Sequence, residues 1–192
     1  MAGESSDRRV MIAILLTSTL LTMLGIAGVL RGTYDLQSGP LPENLEDLFP
    51  ADEEEPETEA GARERQLKVD LLEAQATNPY RRPMAAANIV VSVLVLVGSF
   101  MLSWRRKLSQ WWIRQAITAK LIWIVAYTAT LIYHFKLVFP SVPTPTPGGA
   151  TLTELISSVV LGSIISAALH VAAAWRVSRP DIRAFINDSG TN

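Results

Sequence analysis

The sequence predicts an all-α integral membrane protein, built as a four-transmembrane-helix bundle with one large, partly disordered acidic outer loop. Three observations lead to this prediction. Four apolar stretches are each about as long as the roughly 20 residues that a helix needs to cross the hydrocarbon core of a bilayer. Only 18% of the 192 residues are charged, and the mean hydropathy is positive at +0.25. Acidic and basic residues are also segregated along the chain.

The four predicted spans cover residues 10–30, 84–104, 113–139 and 151–175. The first two contain no charged residue. The second is rich in valine, but buried strands usually stop at about four to eight residues, so its length favours a helix. We expect titratable side chains only near the ends of the spans. The middles of the spans are expected to contain hydroxyl-bearing residues, glycine and apolar residues. The third span carries Lys120 near one end and His134 and Lys136 near the other, and the fourth carries Glu154 at its start and His170 near its end.

The first span allows an alternative interpretation. Arg8 and Arg9 before an apolar run resemble the front of a secretory signal peptide, and Gly25-Ile26-Ala27 offers a cleavage site. The apolar run of about 20 residues is longer than the roughly 7–15 of a signal-peptide core. We therefore expect an uncleaved anchor; cleavage would leave three helices in the same orientation.

Basic residues flank the predicted spans mainly on one side, and such residues prefer the cytoplasmic side of a membrane. That side comprises the N-terminus 1–9, the connection 105–112 and the tail 176–192. The rule predicts that both termini are cytoplasmic in a multi-pass protein of the plasma membrane, with a bacterial inner membrane as the expected compartment. Basic residues that flank the opposite side are Arg31, Arg81, Arg82 and Lys136.

The predicted outer segment 31–83 contains 13 acidic and 6 basic residues. Like charges at the density of 51–60 repel one another, which predicts disorder there. Amphipathic helices are predicted on either side, one between Pro42 and Pro50 and one over 62–77. They would lie on the membrane surface or dock the domain of a partner.

Two shorter segments complete the predicted layout. Alternating prolines in the outer connection 140–150 favour a stiff, extended spacer. The tail after Pro180 is predicted to form a short surface helix through Ile182, Phe185 and Ile186.

Small or polar residues recur at every fourth position of the fourth span. Small residues at this spacing let two helices approach closely. The open interpretations are packing within the chain's own bundle and an interface with another subunit. This predicted interface stripe consists of Ser158, Gly162, Ser166, His170 and Ala174.

His134 and Glu154 are predicted to lie at similar depth near the outer ends of the third and fourth spans. Glu154 also completes a capping box with Thr151, in which the two side chains satisfy free backbone N–H groups. Because histidine titrates near neutral pH, an alternative hypothesis is that His134 and Glu154 form a proton-sensitive latch. His134 and His170 are about a membrane thickness apart and cannot share a metal or a haem.

A basic group lies near the predicted cytoplasmic boundary. Lys120 is one to two turns inside the third span, and its long stem is predicted to carry the ammonium out to the headgroups. We predict that the group faces anionic lipid. Its members are Arg105, Arg106, Lys107, Arg114 and Lys120.

The sequence excludes several functional classes. Cysteine is absent, which excludes disulfides, thiolate metal sites and cysteine nucleophiles. No catalytic, cofactor-binding or metal-binding motif is found, and the lack of a basic patch in a near-neutral chain argues against nucleic acid as a partner. We therefore expect a non-catalytic structural or accessory subunit that binds the lipid bilayer and either another membrane protein or itself. The alternative is a small transporter or channel acting as an oligomer, which the absence of ionisable groups from the span middles disfavours.

Overall fold

The computed structural model describes residues 2–37, 61, 69, 77–138 and 152–189. The predictions for the acidic stretch 51–60, for the helix between Pro42 and Pro50 and for the proline-rich spacer lie outside these ranges, and of the predicted helix over 62–77 only residues 69 and 77 are described. The described part contains five α-helices and no strand. They are α1 (Ala2–Gln37), α2 (Arg81–Ser103), α3 (Ser109–Val138), α4 (Leu152–Val177) and α5 (Pro180–Ser189).

Helices α1 to α4 overlap the four predicted spans. Each is long and apolar enough to cross a membrane, with 31, 23, 29 and 25 residues in the respective apolar segments. The prediction of a helical chain with four long apolar segments is therefore confirmed. The helices differ in burial: 39% of the most apolar stretch is buried in α1 and in α2, 22% in α3 and 6% in α4. Helix α4 is thus the most peripheral of the four.

A tight turn after α2 reverses the chain into α3. The Arg106 N–H donates to the Met101 carbonyl at 2.9 Å, and the Arg105 N–H donates to the Leu102 carbonyl at 3.0 Å. These are the two bonds of a Schellman motif. Arg105 adopts a φ of 54°, a conformation in which glycine is the usual residue. The short connection makes α2 and α3 packed neighbours.

Helices α1 and α2 pack against each other along a seam of three α1 glycines. A Cβ added at Gly28 would lie 2.1 Å from Ser92 Oγ, and one added at Gly25 or Gly32 would lie 2.6 or 2.7 Å from an α2 side chain. Real Cβ atoms do not approach other atoms so closely. Glycine therefore sets the distance between the two helices, as small residues do where transmembrane helices cross closely.

Hydroxyl groups also join neighbouring helices. Ser99 Oγ donates to the Ser18 carbonyl at 2.7 Å and lies 2.6 Å from Thr22 Oγ1, which links α2 to α1. Thr128 Oγ1 and Ser163 Oγ are 2.6 Å apart and link α3 to α4. The bond from Ser99 to the Ser18 carbonyl holds α1 and α2 in register.

Helix α5 closes the end of the bundle at which α1 begins. It starts with Pro180, whose missing N–H costs little in the first helical turn. Ile182 and Ile186 are fully buried and share a core cluster with Val10 of α1 and Val177 of α4. The predicted short helix after Pro180 is thus present. Its polar side is exposed, and its apolar side packs into the core.

Candidate functional site

A buried lysine lies near the middle of the bundle. Lys120 is only 4% exposed. Its Nζ donates to Asn88 Oδ1 at 2.5 Å and to Ser92 Oγ at 3.0 Å, and it lies 4.5 Å from the centroid of the Trp123 ring. An ammonium has three N–H donors, and the two oxygens and the electron-rich ring face supply three acceptors. Ser92 is the central residue of α2.

Three helices build this site, which we call the Lys120 cluster: Gly28, Asn88, Ser92 and Lys120. Asn88 Nδ2 donates to the Gly28 carbonyl at 3.0 Å, so the amide bridges α1 to the α3 ammonium. A Cβ at Gly28 would come within 3.1 Å of Lys120 Nζ, so glycine is needed for the cluster to close. Within the described residues, the partners of the ammonium are neutral oxygens and an indole.

The position of Lys120 corrects two predictions. The side chain does not extend to a headgroup region, because it is buried between α2 and α3. The span middles also hold more than hydroxyls, glycine and apolar groups, because Asn88 and Lys120 lie there together. Position along a helix indicates depth, but only the facing helix shows whether a side chain meets lipid or a buried partner.

An aromatic ladder extends from Lys120 along α3. Trp123 and Tyr127 stack with ring centroids 5.0 Å apart and an interplanar angle of 19°. Beyond them, the Arg31 guanidinium of α1 lies 5.2 Å from the Tyr127 ring and donates from Nη2 to the Tyr127 hydroxyl at 2.9 Å. Trp123 Nε1 donates to the Met84 carbonyl at 2.9 Å, which anchors the ladder to α2. Positions 120, 123 and 127 share one helix face, a spacing that the sequence interpretation did not use.

Beside the ladder, a cavity of about 270 Å³ opens between α3 and α4, with Arg31 of α1 at its margin. We call it the α4 groove. A Cβ added at Gly162 would meet no described atom within 4 Å, in contrast to the seam glycines of α1. The groove is lined by Arg31, Trp123, Ile124, Tyr127, Leu131, Ser158, Val159, Gly162, Ser163 and Ser166.

The predicted interface stripe of α4 divides into two parts. Ser158 and Gly162 are exposed and line the α4 groove, and half-buried Ser166 forms its deeper wall. His170 is 2% exposed, and Ala174 packs against the core cluster. The half of the stripe near α5 thus packs inside the chain, whereas the other half faces an open space. An interface with another subunit stays a prediction.

His170 has one ring nitrogen occupied and one free. Its Nδ1 lies 2.7 Å from the Ser166 carbonyl oxygen, so Nδ1 carries the proton that is donated. Its Nε2 is buried and has no hydrogen-bond partner within the described part of the chain. The Nδ1 hydrogen bond therefore stabilises one turn of α4, and Nε2 stays buried without a described hydrogen-bond partner.

No contact between His134 and Glu154 is observed in the described part of the chain. His134 is buried on α3, with 8% exposed, whereas Glu154 is exposed in the first turn of α4. Thr151, the other member of the predicted capping box, lies outside the described residues. The capping role and the proton-sensitive latch both stay predictions.

The other four members of the predicted basic group lie at the α2–α3 turn and the start of α3. Arg106, Lys107 and Arg114 are exposed. Arg114 Nε donates to Ser178 Oγ at 3.3 Å. Arg105 is half-buried: its Nη2 lies 3.4 Å from the Met11 sulfur, and its guanidinium lies 5.2 Å from the Phe185 ring. Arg105 thus connects the α2–α3 turn to α1 and α5, and its orientation toward anionic lipid stays a prediction.

Among the described residues, no group of three or more histidine, cysteine, aspartate or glutamate side chains could hold a metal ion. Comparison with known proteins adds no relative: no family model matches the chain, and no match was found among curated proteins or solved structures.

Proposed function

We propose that this chain is a non-catalytic multi-pass membrane protein that binds a transmembrane helix of another membrane protein, or of a second copy, over α4. The observation that supports the proposal is the open position of Gly162, where an added Cβ would meet no described atom. The exposed residues Ser158 and Gly162 form a small-residue surface of the kind over which two helices approach closely. The low burial of α4 leaves that surface accessible from the lipid.

The proposal includes a plasma membrane location, with a bacterial inner membrane as the expected one, and cytoplasmic termini. Both rest on the distribution of basic residues around the four apolar helices. A protease-sensitive tag after Asn192 tests the orientation. It should resist protease added to intact cells or right-side-out vesicles and should be cut after permeabilisation.

Site-directed cross-linking tests the association directly, because the natural chain has no cysteine. Gly162→Cys places a thiol on the proposed surface, and Ile164→Cys places one at nearly the same depth on the opposite side of α4. Both positions are exposed, with Ile164 at 58%. In native membranes, a bismaleimide should couple Gly162→Cys to a partner or to a second copy at severalfold higher yield than Ile164→Cys. Equal yields, or a Gly162→Cys chain that stays monomeric, would contradict the proposal.

Transport by an oligomer is the second candidate, and the buried Lys120 is the observation that favours it. Ionisable groups inside a membrane bundle mark ion and substrate pathways in many proteins. The close packing around Gly28 weighs against this role, because the Lys120 cluster has no space for a Cβ, let alone a substrate. Anion and proton flux into proteoliposomes would decide: flux that is lost in Lys120→Met but retained in the exposed control Lys107→Met would establish transport.

A further inference from the structure

We propose that the helix bound over α4 belongs to a different protein and carries an aspartate or glutamate that pairs with Arg31, within about one turn of the point where it crosses Gly162. This inference rests on the proposed function, because it requires a transmembrane helix over the α4 groove. It goes further in two respects: it chooses a different protein over a second copy, and it gives the chemistry of the partner.

Arg31 and the open surface of α4 lie at similar depth in the bundle. Thr128 Oγ1 of α3 is 2.6 Å from Ser163 Oγ of α4, so the residues next to them, Tyr127 and Gly162, are at nearly the same level. Arg31 Nη2 donates to the Tyr127 hydroxyl at 2.9 Å. Arg31, Tyr127 and Gly162 all line the groove. A helix that crosses Gly162 therefore passes Arg31 within about one turn of the crossing point.

Arg31 and Tyr127 together can donate to both oxygens of a carboxylate. A guanidinium has five N–H donors, and within the described part of the chain the Tyr127 hydroxyl accepts one of them. Because this hydroxyl accepts from Arg31, its own proton is available to another acceptor. The hydroxyls of Ser158 and Ser163 can instead donate to carbonyls of α4, each at 2.8 Å. The donors for an anion thus come from Arg31 and Tyr127, and charged hydrogen bonds of this kind are strong ones.

Covering the groove would make an anionic partner necessary. Arg31 directly follows the predicted span 10–30, near the border of the hydrocarbon core, and its side chain is exposed in the single chain. A helix packed over the groove would exclude water from the guanidinium. Removing a charge from water is costly unless an opposite charge compensates, so ionisable residues of membrane helices usually pair with one another. An acidic side chain in the bound helix supplies that compensation.

A second copy of this chain is a poor source of the anion. Two copies inserted in the same orientation form a closed pair around an axis perpendicular to the membrane, so identical residues lie at equal depth. Each copy would bring an Arg31 to the level of the other, and like charges repel. Among the described acidic residues, Asp35 lies about one turn beyond Arg31, and Glu154 lies about two to three turns before Ser163. Charge complementarity therefore favours a different protein.

Transmembrane peptides of defined sequence test this chemistry. Each is a leucine–alanine helix with one glycine and, one turn to either side of it, a glutamate, glutamine or lysine. Energy transfer from a dye on Lys107→Cys, an exposed site outside the groove, measures peptide binding in phosphatidylcholine vesicles at pH 8, well above the ordinary glutamate pKa of about 4.3. The glutamate peptide should bind about tenfold or more tightly than the glutamine peptide, as expected for a charged hydrogen bond, and the lysine peptide should bind weakest.

Variants of Arg31 show whether that preference comes from the groove. Arg31→Gln should remove the preference for glutamate, and Arg31→Glu should reverse it in favour of the lysine peptide. Arg82→Gln, which replaces an exposed arginine of α2 outside the groove, is the matched control and should keep the preference for glutamate. Equal losses in Arg31→Gln and Arg82→Gln would indicate general charge attraction and overturn the proposal.

The Gly162→Cys cross-link tests the same chemistry in native membranes. Mass spectrometry of the product should identify a different protein, whose coupled segment has an aspartate or glutamate within about one turn of a small residue. Replacing that acidic residue with its amide should lower the cross-linking yield severalfold, and so should Arg31→Gln in this chain.

The outcomes separate this inference from the proposed function. A cross-link to a different protein that is unaffected by Arg31→Gln, with equal binding of the glutamate and glutamine peptides, would leave association over α4 intact and overturn the acidic partner. A cross-link to a second copy would likewise keep the proposed function and overturn the choice of a different protein. A preference for glutamate that disappears in phosphatidylglycerol vesicles would assign Arg31 to an anionic headgroup. No cross-link and no peptide binding would overturn both.

Discussion

The seam between α1 and α2 is closely packed, whereas the groove beside α4 is open, although the two regions contain similar groups. Each region contains a cation and a glycine. In the seam, Lys120 is surrounded by acceptors and Gly28 has no space for a Cβ. In the groove, Arg31 has one described acceptor and Gly162 faces open space. A buried polar group that is fully satisfied stabilises a unique packing, whereas Arg31 is exposed at the margin of the groove.

The largest expected effect is the loss of the bridging amide of the Lys120 cluster. Asn88→Leu keeps the branched shape of the side chain but removes the acceptor of Lys120 and the donor to the Gly28 carbonyl. Removing a neutral acceptor from a buried charged donor costs about 1.5–3 kcal/mol. Unfolding in mixed micelles should therefore show a loss of this size, whereas Ser158→Ala in the open groove should change stability by less than about 0.5 kcal/mol.

A double variant checks the reason for that loss. Lys120→Met removes the charge, so Asn88→Leu combined with Lys120→Met should be more stable than Asn88→Leu alone. If the double variant is less stable than either single variant by the sum of their losses, the amide and the ammonium act independently and the account of the cluster is wrong.

The two glycines give the next largest contrast. Gly28→Ala would place a Cβ 2.1 Å from Ser92 Oγ, so the helices must separate or the cluster must open. Overpacking of this kind costs about 1–3 kcal/mol. Gly162→Ala should be neutral or stabilising, because alanine favours the helix and its methyl group has space. Thermal unfolding of the two variants in the same detergent measures the difference; similar stabilities would mean that the seam is not tighter than the groove.

The turn after α2 should give a smaller effect. Arg105 holds a positive φ while its side chain contacts Met11 and Phe185. Arg105→Ala and Arg105→Gly lose the same side-chain contacts, but only glycine relieves the backbone. We therefore expect the glycine variant to be more stable than the alanine variant by about 1 kcal/mol. Equal stabilities would show that the left-handed conformation is not maintained in the variants.

The long helices could be predicted because their signals are local. Four apolar stretches of sufficient length and an almost uncharged composition predict α1 to α4 without knowledge of any neighbour. The periodicity of Ile182, Phe185 and Ile186 predicts α5 in the same way. Its burial could not be predicted, because it depends on Val10 and Val177 meeting it from distant parts of the chain.

The Lys120 cluster and the contact of Arg31 with Tyr127 could not be predicted, because each forms only where two or more helices pack together. Lys120 alone resembles a lysine that extends to headgroups, and Asn88 alone is one amide in an apolar span. Only the packing of α2 on α3 turns them into a buried cluster. Arg31 was counted as a flanking charge, and no sequence signal connected it to Tyr127, which is 96 positions away.

The smallest expected difference in stability is between variants that remove the two interhelical hydroxyl contacts, Thr22–Ser99 and Thr128–Ser163. In the closed seam, the Ser99 proton is given to the Ser18 carbonyl, so Thr22 must be the donor to Ser99. Thr22→Val removes that donor and should cost about 0.6 kcal/mol, the average for an interhelical hydrogen bond in a membrane.

Between α3 and α4, replacement of threonine by valine should have a smaller effect on stability. Thr128 and Ser163 can each donate to a carbonyl of their own helix, at 2.8 Å in both cases. Since each hydroxyl has one proton, their contact competes with those backbone bonds. After Thr128→Val, Ser163 keeps its bond to the Val159 carbonyl, so stability should stay almost unchanged. A Thr128→Val loss as large as that of Thr22→Val would show that α4 is held to α3 as firmly as α2 is held to α1.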